Sequence, residues 1–384
     1  MGGAITIGEW IFSAKPHSTA ISPDRTTVWS FDLEGRPISW FEGELTYKRS
    51  LASAVHARSR RGGTRRRWIV PPEEARALFA RILEGVARAP RAELPRRLSE
   101  RIDLILSWTP DRLLAEKERF DRAYEPITIL PPDQYLSIVV QATRGCTWNR
   151  CTFCSFYQDR PFAVRTPEEF ARHLDAVRDL LGRGAALRRG LFLADGNALV
   201  LARSRLLPLV RAARDAFPGR PIAGFVDVFS GERKPEEEWR ELRDEGLARA
   251  AIGIETGHDP LLAWLDKPGS AGEALRFTET LARAGIGLSL IFMCGVGGDR
   301  FAGAHLRDSL ALIERLPLRP GDIVYLSPFV EHPGSEYARR ARAEGIRPLP
   351  PAEIEAQMSA LREGVRRRHP QVRVAPYDIR EFVY

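Results

Sequence analysis

From about residue 135 onward, short apolar runs rich in β-branched and aromatic residues alternate with amphipathic stretches at helical spacing, and this alternation limits the fold more than any other feature. The runs are YLSIVVQAT (135–143), GLFLAD (190–195), IAGFVDV (222–228), ARAAIGIE (248–255), IGLSLIFMC (286–294) and DIVYLSPF (322–329). The first helix between them opens at TPEE, where Thr166 can cap, Pro167 suits the first helical position and Glu169 can complete a capping box. Its residues Phe170, Leu174, Val177 and Leu181 fall on one face. Further helices fit 203–216, 235–246, 271–284 and 302–316. Six such units are two short of a closed eight-unit barrel, which leaves an open six-unit barrel or a doubly wound sheet.

The first 130 residues differ. FDLEGRPISWFEGELTYKRSL alternates polar and apolar residues with Gly35 and Gly43 as turn candidates, which suggests a small β-hairpin element. Pro71 to Tyr124 predicts two or three helices, the first burying Leu78, Phe79, Ile82, Leu83 and Val86. The expected organisation is an N-terminal accessory region over 1–130, an α/β body over 131–338, and a C-terminal helix with an extended tail over 339–384. Trp10, Trp29, Trp40 and Trp68 are more naturally core anchors than stacking platforms.

A 43.2 kDa chain with 44% hydrophobic residues can bury a sizeable core. The first residues lack a basic stretch followed by an apolar one, and the longest uncharged apolar run, 285–298, is too short to span a bilayer. A cytoplasmic protein without membrane partners is expected. The net charge of +8 raises the question of nucleic acid. Only five of the 58 cationic side chains are lysines, however, and arginines spread along helices are what a genome rich in G and C produces. The densest run, RSRRGGTRRR (58–67), is the best candidate for a phosphate-contacting patch.

Residues 145–157, GCTWNRCTFCSFY, hold three of the four cysteines. In a reducing compartment such a cluster favours metal ligation over disulfides. Thiolates two and four residues apart can converge from one loop on zinc or an iron–sulfur cluster. A structural zinc site wants four ligands, and none lies close: His173 belongs to the first predicted helix and Cys294 to a remote strand. Three ligands leave one coordination position open.

Three cysteines in a loop just after the first strand of an incomplete α/β barrel resemble the radical S-adenosylmethionine (SAM) superfamily, whose usual pattern is CxxxCxΦC. Phe153 before the third cysteine matches, while the first gap, Thr147 to Arg150, is one residue longer than usual. The resemblance covers roughly residues 135–335 and is nearest to the methylthiotransferase and cobalamin-type members. It implies a partial (β/α)6 TIM-like barrel with a mixed α+β N-terminal region. It also implies a 4Fe–4S cluster on Cys146, Cys151 and Cys154, and SAM held by Asp195, Gly196 and Asn197 of ADGN, by Glu255 of GIETG and by Gly295 of CGVGG. Neither a DxHxxG cobalamin motif nor a second cysteine cluster is present in the sequence.

The resemblance further implies reductive cleavage of SAM to a 5′-deoxyadenosyl radical, a small-molecule substrate and an electron donor such as flavodoxin or ferredoxin. Two other readings stand beside it: a structural metal-site protein that binds RNA through Arg58–Arg67, and a tRNA-modifying member of the superfamily. For Cys294, burial as a plain hydrophobe is weighed against a role as hydrogen-atom donor at a strand end facing the SAM site.

Overall fold

The structure, a computed structural model, describes residues 4–59 and 66–384, so the middle of the arginine-rich run, residues 60–65, lies outside the described residues. The chain divides into two units. The first runs to Ile127 and takes in Asp175–Arg189 and Val383–Tyr384; the second is Thr128–Leu174 with Gly190–Phe382.

The first unit begins with eight short strands: β1 (Ile5–Ile7), β2 (Trp10–Ala14), β3 (Thr19–Ser22), β4 (Thr27–Phe31), β5 (Pro37–Glu42), β6 (Leu45–Arg49), β7 (Val55–Ser59) and β8 (Arg66–Val70). Each pairs antiparallel with the next, so the small hairpin expected from the sequence is the middle of an eight-stranded meander. Gly8 and Gly43, both in the left-handed region, open two-residue turns between β1 and β2 and between β5 and β6. Alternation sends Phe12, Ile21, Trp29, Phe31, Trp40 and Tyr47 to one face. There they form one core with α1 (Pro72–Ala87), α2 (Arg96–Leu106) and α3 (Pro110–Ala123), which contribute Phe79, Ile82, Ile102 and Leu113 among others. Each large side chain buried this way stabilises by about 2 kcal/mol. Trp29 and Trp40 are thus core anchors.

In the second unit β9 (Ser137–Gln141) is followed by a two-stranded ladder of β10 (Thr143–Arg144) and β11 (Ala163–Val164), which brackets the cysteine loop. Then come α4 (Pro167–Leu181), whose residues from Asp175 belong to the first unit, β12 (Gly190–Ala194), α5 (Arg203–Ala216), β13 (Ile222–Phe225), α6 (Val228–Gly231), α7 (Glu236–Asp244), β14 (Leu247–Glu255), α8 (Asp259–Trp264), α9 (Ala271–Arg283), β15 (Gly287–Cys294), α10 (Gly298–Arg315), β16 (Ile323–Pro328), α11 (Glu336–Ala343), α12 (Pro351–Arg368) and β17 (Arg373–Pro376). The capping box at α4 forms as expected: Thr166 Oγ1 accepts from the Glu169 amide at 3.2 Å, and the Thr166 amide donates to Glu169 at 2.9 Å.

The strands β9, β12, β13, β14, β15, β16 and β17 pair in that order, all parallel, as a partial TIM-like barrel. β9 and β12 are buried throughout, which is why they are continuous apolar runs in the sequence. The sheet has seven strands and not six: the extended tail expected after the last helix is β17, an edge strand whose Arg373 and Pro376 mask its strand character. Inside the barrel, Ile291, Ile323, Tyr325 and Tyr377 pack as a floor, with Phe225 against them. Among the described residues no helix is long and apolar enough to cross a membrane.

Candidate active site

Above that floor, at the ends of the strands, lies a cavity of about 200 Å³. Cys146, Cys151 and Cys154 all border it, together with Phe153, Gly196, Asn197 and Glu255. Most of the residues singled out from sequence therefore meet at one place, as expected where loops follow parallel strands.

The cysteine loop is held from several sides. Each of the four residues in the long first gap has an anchor. Thr147 Oγ1 accepts from Asn197 at 2.8 Å, and Trp148 Nε1 donates to the Asp266 carbonyl at 2.7 Å. Asn149 Nδ2 donates to the Tyr157 carbonyl at 2.8 Å, and Arg150 pairs with Asp266 at 3.5 Å while lying over the Trp148 ring. Asn149 turns the chain with φ of 50°, a conformation asparagine adopts more readily than other side chains. Further along, the Thr152 amide donates to the Leu265 carbonyl at 2.9 Å, and the Thr152 carbonyl accepts from Tyr337 at 3.0 Å. Phe153 packs onto a cluster that includes Leu261, Trp264 and Tyr337.

Burial pushes the Cys151 thiol up to about 12 and the Cys154 thiol to about 11. Lys267 is the cationic neighbour that partly offsets this burial. All four cysteines are free. Among the described residues no three His, Cys, Asp or Glu groups are placed to hold a single metal ion. His173 is no ligand in this arrangement, because its Nε2 accepts the Gln141 amide at 2.8 Å.

Glu255 reaches the cavity through a local irregularity. The β14–β15 register shifts between Gly253 and Glu255, and Glu255 sits at φ of 62°. Such a bulge re-aims the side chain that follows it. Gly253 makes room, since a Cβ there would lie 2.2 Å from Glu255 Oε1. Lys267, in the segment after α8, brings Nζ to 3.9 Å from that oxygen. Burial raises the Glu255 carboxyl while Lys267 pulls it back, with a net rise. Burial would depress Lys267, yet Glu255 and the neighbouring Cys151 outweigh it and raise the ammonium.

Three of the positions weighed from sequence lie outside the cavity lining, and for Cys294 the structure agrees with burial as a plain hydrophobe. Asp195 is absent from the residues bordering the cavity; its carboxylate accepts the Gly145 amide at 3.3 Å and pairs with Arg160 at 3.4 Å, so it braces the root of the cysteine loop. Gly295 also lies outside the lining. Its amide donates to Gln357 at 2.8 Å and a Cβ would meet Ile354 of α12 at 2.9 Å, so its positive φ serves packing. Cys294 faces α12 as well: Ile291 and Met293 point into the cavity, and period-two alternation turns Cys294 away. Burial raises its thiol to about 12, with Arg362 and Glu355 of α12 as its charged neighbours.

Gly196 keeps its place because a Cβ there would strike the Tyr157 ring at 2.6 Å. Asn197, fully buried, also accepts the Asp227 amide at 3.0 Å and donates to the Asp227 carboxylate. Lys267, Asp227, Trp148 and Tyr157 border the cavity without having been singled out. For Lys267 a signal existed: it is one of five lysines in a chain that otherwise uses arginine, ten residues past the end of the GIETG stretch.

Residues 140–303 match the model of the Radical SAM superfamily. No curated protein matches the sequence. Among solved structures the chain is similar to methylornithine synthase, with 18% identity, a TM-score of 0.44 and coverage of 68% of each chain. It is similar to coproporphyrinogen III oxidase from Escherichia coli, with 15% identity, a TM-score of 0.43 and coverage of 64% of this chain and 55% of that one. It is also similar to the archaeal Methanocaldococcus infernus Elp3 with its N-terminus deleted, with 13% identity, a TM-score of 0.43 and coverage of 62% and 55%. The alignment thus spans little more than half the length of the last two.

Proposed function

Because residues 140–303 are a radical SAM domain, whose cofactors are a 4Fe–4S cluster and SAM, we propose that this enzyme holds the cluster through Cys146, Cys151 and Cys154 and acts on a small organic substrate seated in the same cavity. What the cluster and SAM supply when bound is reductive cleavage of a carbon–sulfur bond, releasing a 5′-deoxyadenosyl radical that abstracts hydrogen from the substrate. The observation that carries the reading is that the three thiols, a carboxylate and an ammonium border one cavity at the strand ends.

The chain's own part is to bind and orient. Glu255 offers charge-assisted acceptance to a cationic amino group, and Lys267 offers donation to a carboxylate, so the pair suits the zwitterionic end of SAM. Asn197 ties the cysteine loop to the end of β13 and fixes the distance between these parts. Trp148, Phe156, Phe225, Met293 and Phe329 give the remaining wall an apolar surface that excludes water from a radical. A reductant of the flavodoxin or ferredoxin class is the electron source this reading requires.

The test is anaerobic reconstitution, which should load about four irons per chain, followed by incubation with SAM and dithionite. Slow release of 5′-deoxyadenosine is expected, and each of Cys146→Ala, Cys151→Ala and Cys154→Ala should lose the cluster. A variant that kept the full iron content, or a reduced protein inert towards SAM, would overturn the assignment.

A further inference from the structure

The meander has two faces, and the strand register sorts every residue between them. One face is the core described above. On the other, one cross-strand row runs Arg67–Arg58–Thr46–Phe41–Val28, and a second runs Ile69–His56–Lys48–Ser39–Ser30. None of these side chains is buried; Phe41 is 42% exposed and Ile69 64%. Among the described positions of this face there is no aspartate or glutamate. The acidic residue of β5, Glu42, points to the opposite side, where it pairs with Arg81 at 2.7 Å.

Lys48 and Arg58 stand diagonally across β6 and β7 on this face, where like charges do not strengthen a sheet, and exposed aromatic and aliphatic side chains gain nothing from water. The layout suits an external anion: cations on β6 to β8, and next to them, about 10 Å across two strand spacings, an exposed Phe41 beside Val28 on which a ring can stack. Neutralised phosphates together with sequence-tolerant stacking are how single-stranded nucleic acids are held. The hydroxyls of Ser30, Ser39 and Thr46 add partners for a ribose 2′-OH. We infer that this outer face of the meander docks single-stranded RNA. The inference concerns the first unit alone and is independent of the barrel's chemistry.

The test uses the cluster-loaded full chain and fluorescence anisotropy with a labelled single-stranded RNA of about 20 nucleotides. Combining Lys48→Glu with Arg58→Glu should weaken binding about tenfold or more and reduce the log–log salt slope by about 1.4, at roughly 0.7 per phosphate contact. Phe41→Ala should weaken it about fivefold with the salt slope unchanged. Thermal midpoints and 5′-deoxyadenosine release should match the parent in every variant. The inference fails if the parent does not bind RNA, if these variants bind as the parent does, or if single-stranded DNA of the same sequence binds equally well.

Discussion

Each unit of this protein buries an ion group, and the two are built differently. In the first unit the Arg36 guanidinium uses all of its reach: Nε to Asp32 at 2.8 Å, Nη1 to Glu116 at 2.8 Å and to the Leu180 carbonyl at 2.7 Å, Nη2 to the Leu181 carbonyl at 2.8 Å. Glu116 takes Arg119 as well, and Asp32 accepts the amides of Glu34 and Arg36. In the second unit Glu255 and Lys267 stand 3.9 Å apart, beyond hydrogen-bonding distance, with an open cavity beside them. A buried charge whose bonds are complete is part of the scaffold. A buried pair short of partners at a cavity wall carries a desolvation cost that a bound ligand would offset, which is the role proposed for Glu255 and Lys267.

The sharpest way to break this comparison is to remove one cation from each group. Arg36→Met should lower unfolding free energy by about 3–5 kcal/mol, since two carboxylates lose their buried partner. Chemical denaturation checks it, and a loss below about 1 kcal/mol would show that the network is not structural. Lys267→Met should leave the unfolding midpoint nearly in place but weaken SAM at least tenfold, equivalent to about 1.4 kcal/mol of binding. Calorimetry decides. Unchanged SAM affinity in Lys267→Met and in Glu255→Gln would return the pair to a structural role.

A smaller effect follows from acid. Burial would raise the Glu116 carboxyl, but hydrogen bonds from Arg36 and Arg119 prevail and hold it below the ordinary range. A carboxylate depressed in the folded state contributes stability that is present above its unfolded value and is lost as the pH falls through the folded one. The stability gap between the parent and Glu116→Gln should therefore be constant above about pH 5 and close below it. Glu255 has the opposite sign: its raised carboxyl favours folding at low pH and costs stability as the pH rises through its folded value. The gap between the parent and Glu255→Gln should accordingly shift the other way over the mildly acidic range, which pH-dependent denaturation curves will show.

How far each group was legible in the sequence follows from the range of the interactions that make it. The strands β9, β12, β15 and β16 announce themselves because burial on both faces leaves continuous apolar runs. The capping box at Thr166 is equally local. The three cysteines stand out by rarity, and their cavity follows from the barrel. Lys267 was missed because its link to Glu255 depends on the bulge at Gly253, which no local pattern encodes. At Gly295 the structure shows a packing contact with α12, and the sequence could not reveal it: positive φ shows that a glycine is needed, not which neighbour needs it. For Cys294 the alternation along β15 needed only one structural fact, the cavity-facing Met293, to place its neighbour on the opposite face.

The smallest expected effect concerns the additional residue between Cys146 and Cys151. Reductive cleavage selects the carbon–sulfur bond of SAM that is aligned with the unique iron, so a displaced loop could change the product. All four residues of the gap are anchored, three of them to segments outside the cysteine loop and the fourth, Asn149, to its far end at Tyr157. Of the four, only Trp148 borders the cavity. Asn149 absorbs the turn at a backbone conformation that costs most side chains about 1 kcal/mol and glycine almost nothing. Asn149→Gly should therefore keep the parent's iron content, while Asn149→Ala, which loses both the favourable residue and the bond to Tyr157, should reduce it modestly. In both variants and in the parent the product should be 5′-deoxyadenosine, because on the proposed reading Glu255 and Asn197, at or just past strand ends, and Lys267, in the segment after α8, set the pose from outside the loop. Mass spectrometry that found methylthioadenosine with a fragment of the aminobutyrate chain would show that the lengthened gap, and not the strand ends, chooses the bond.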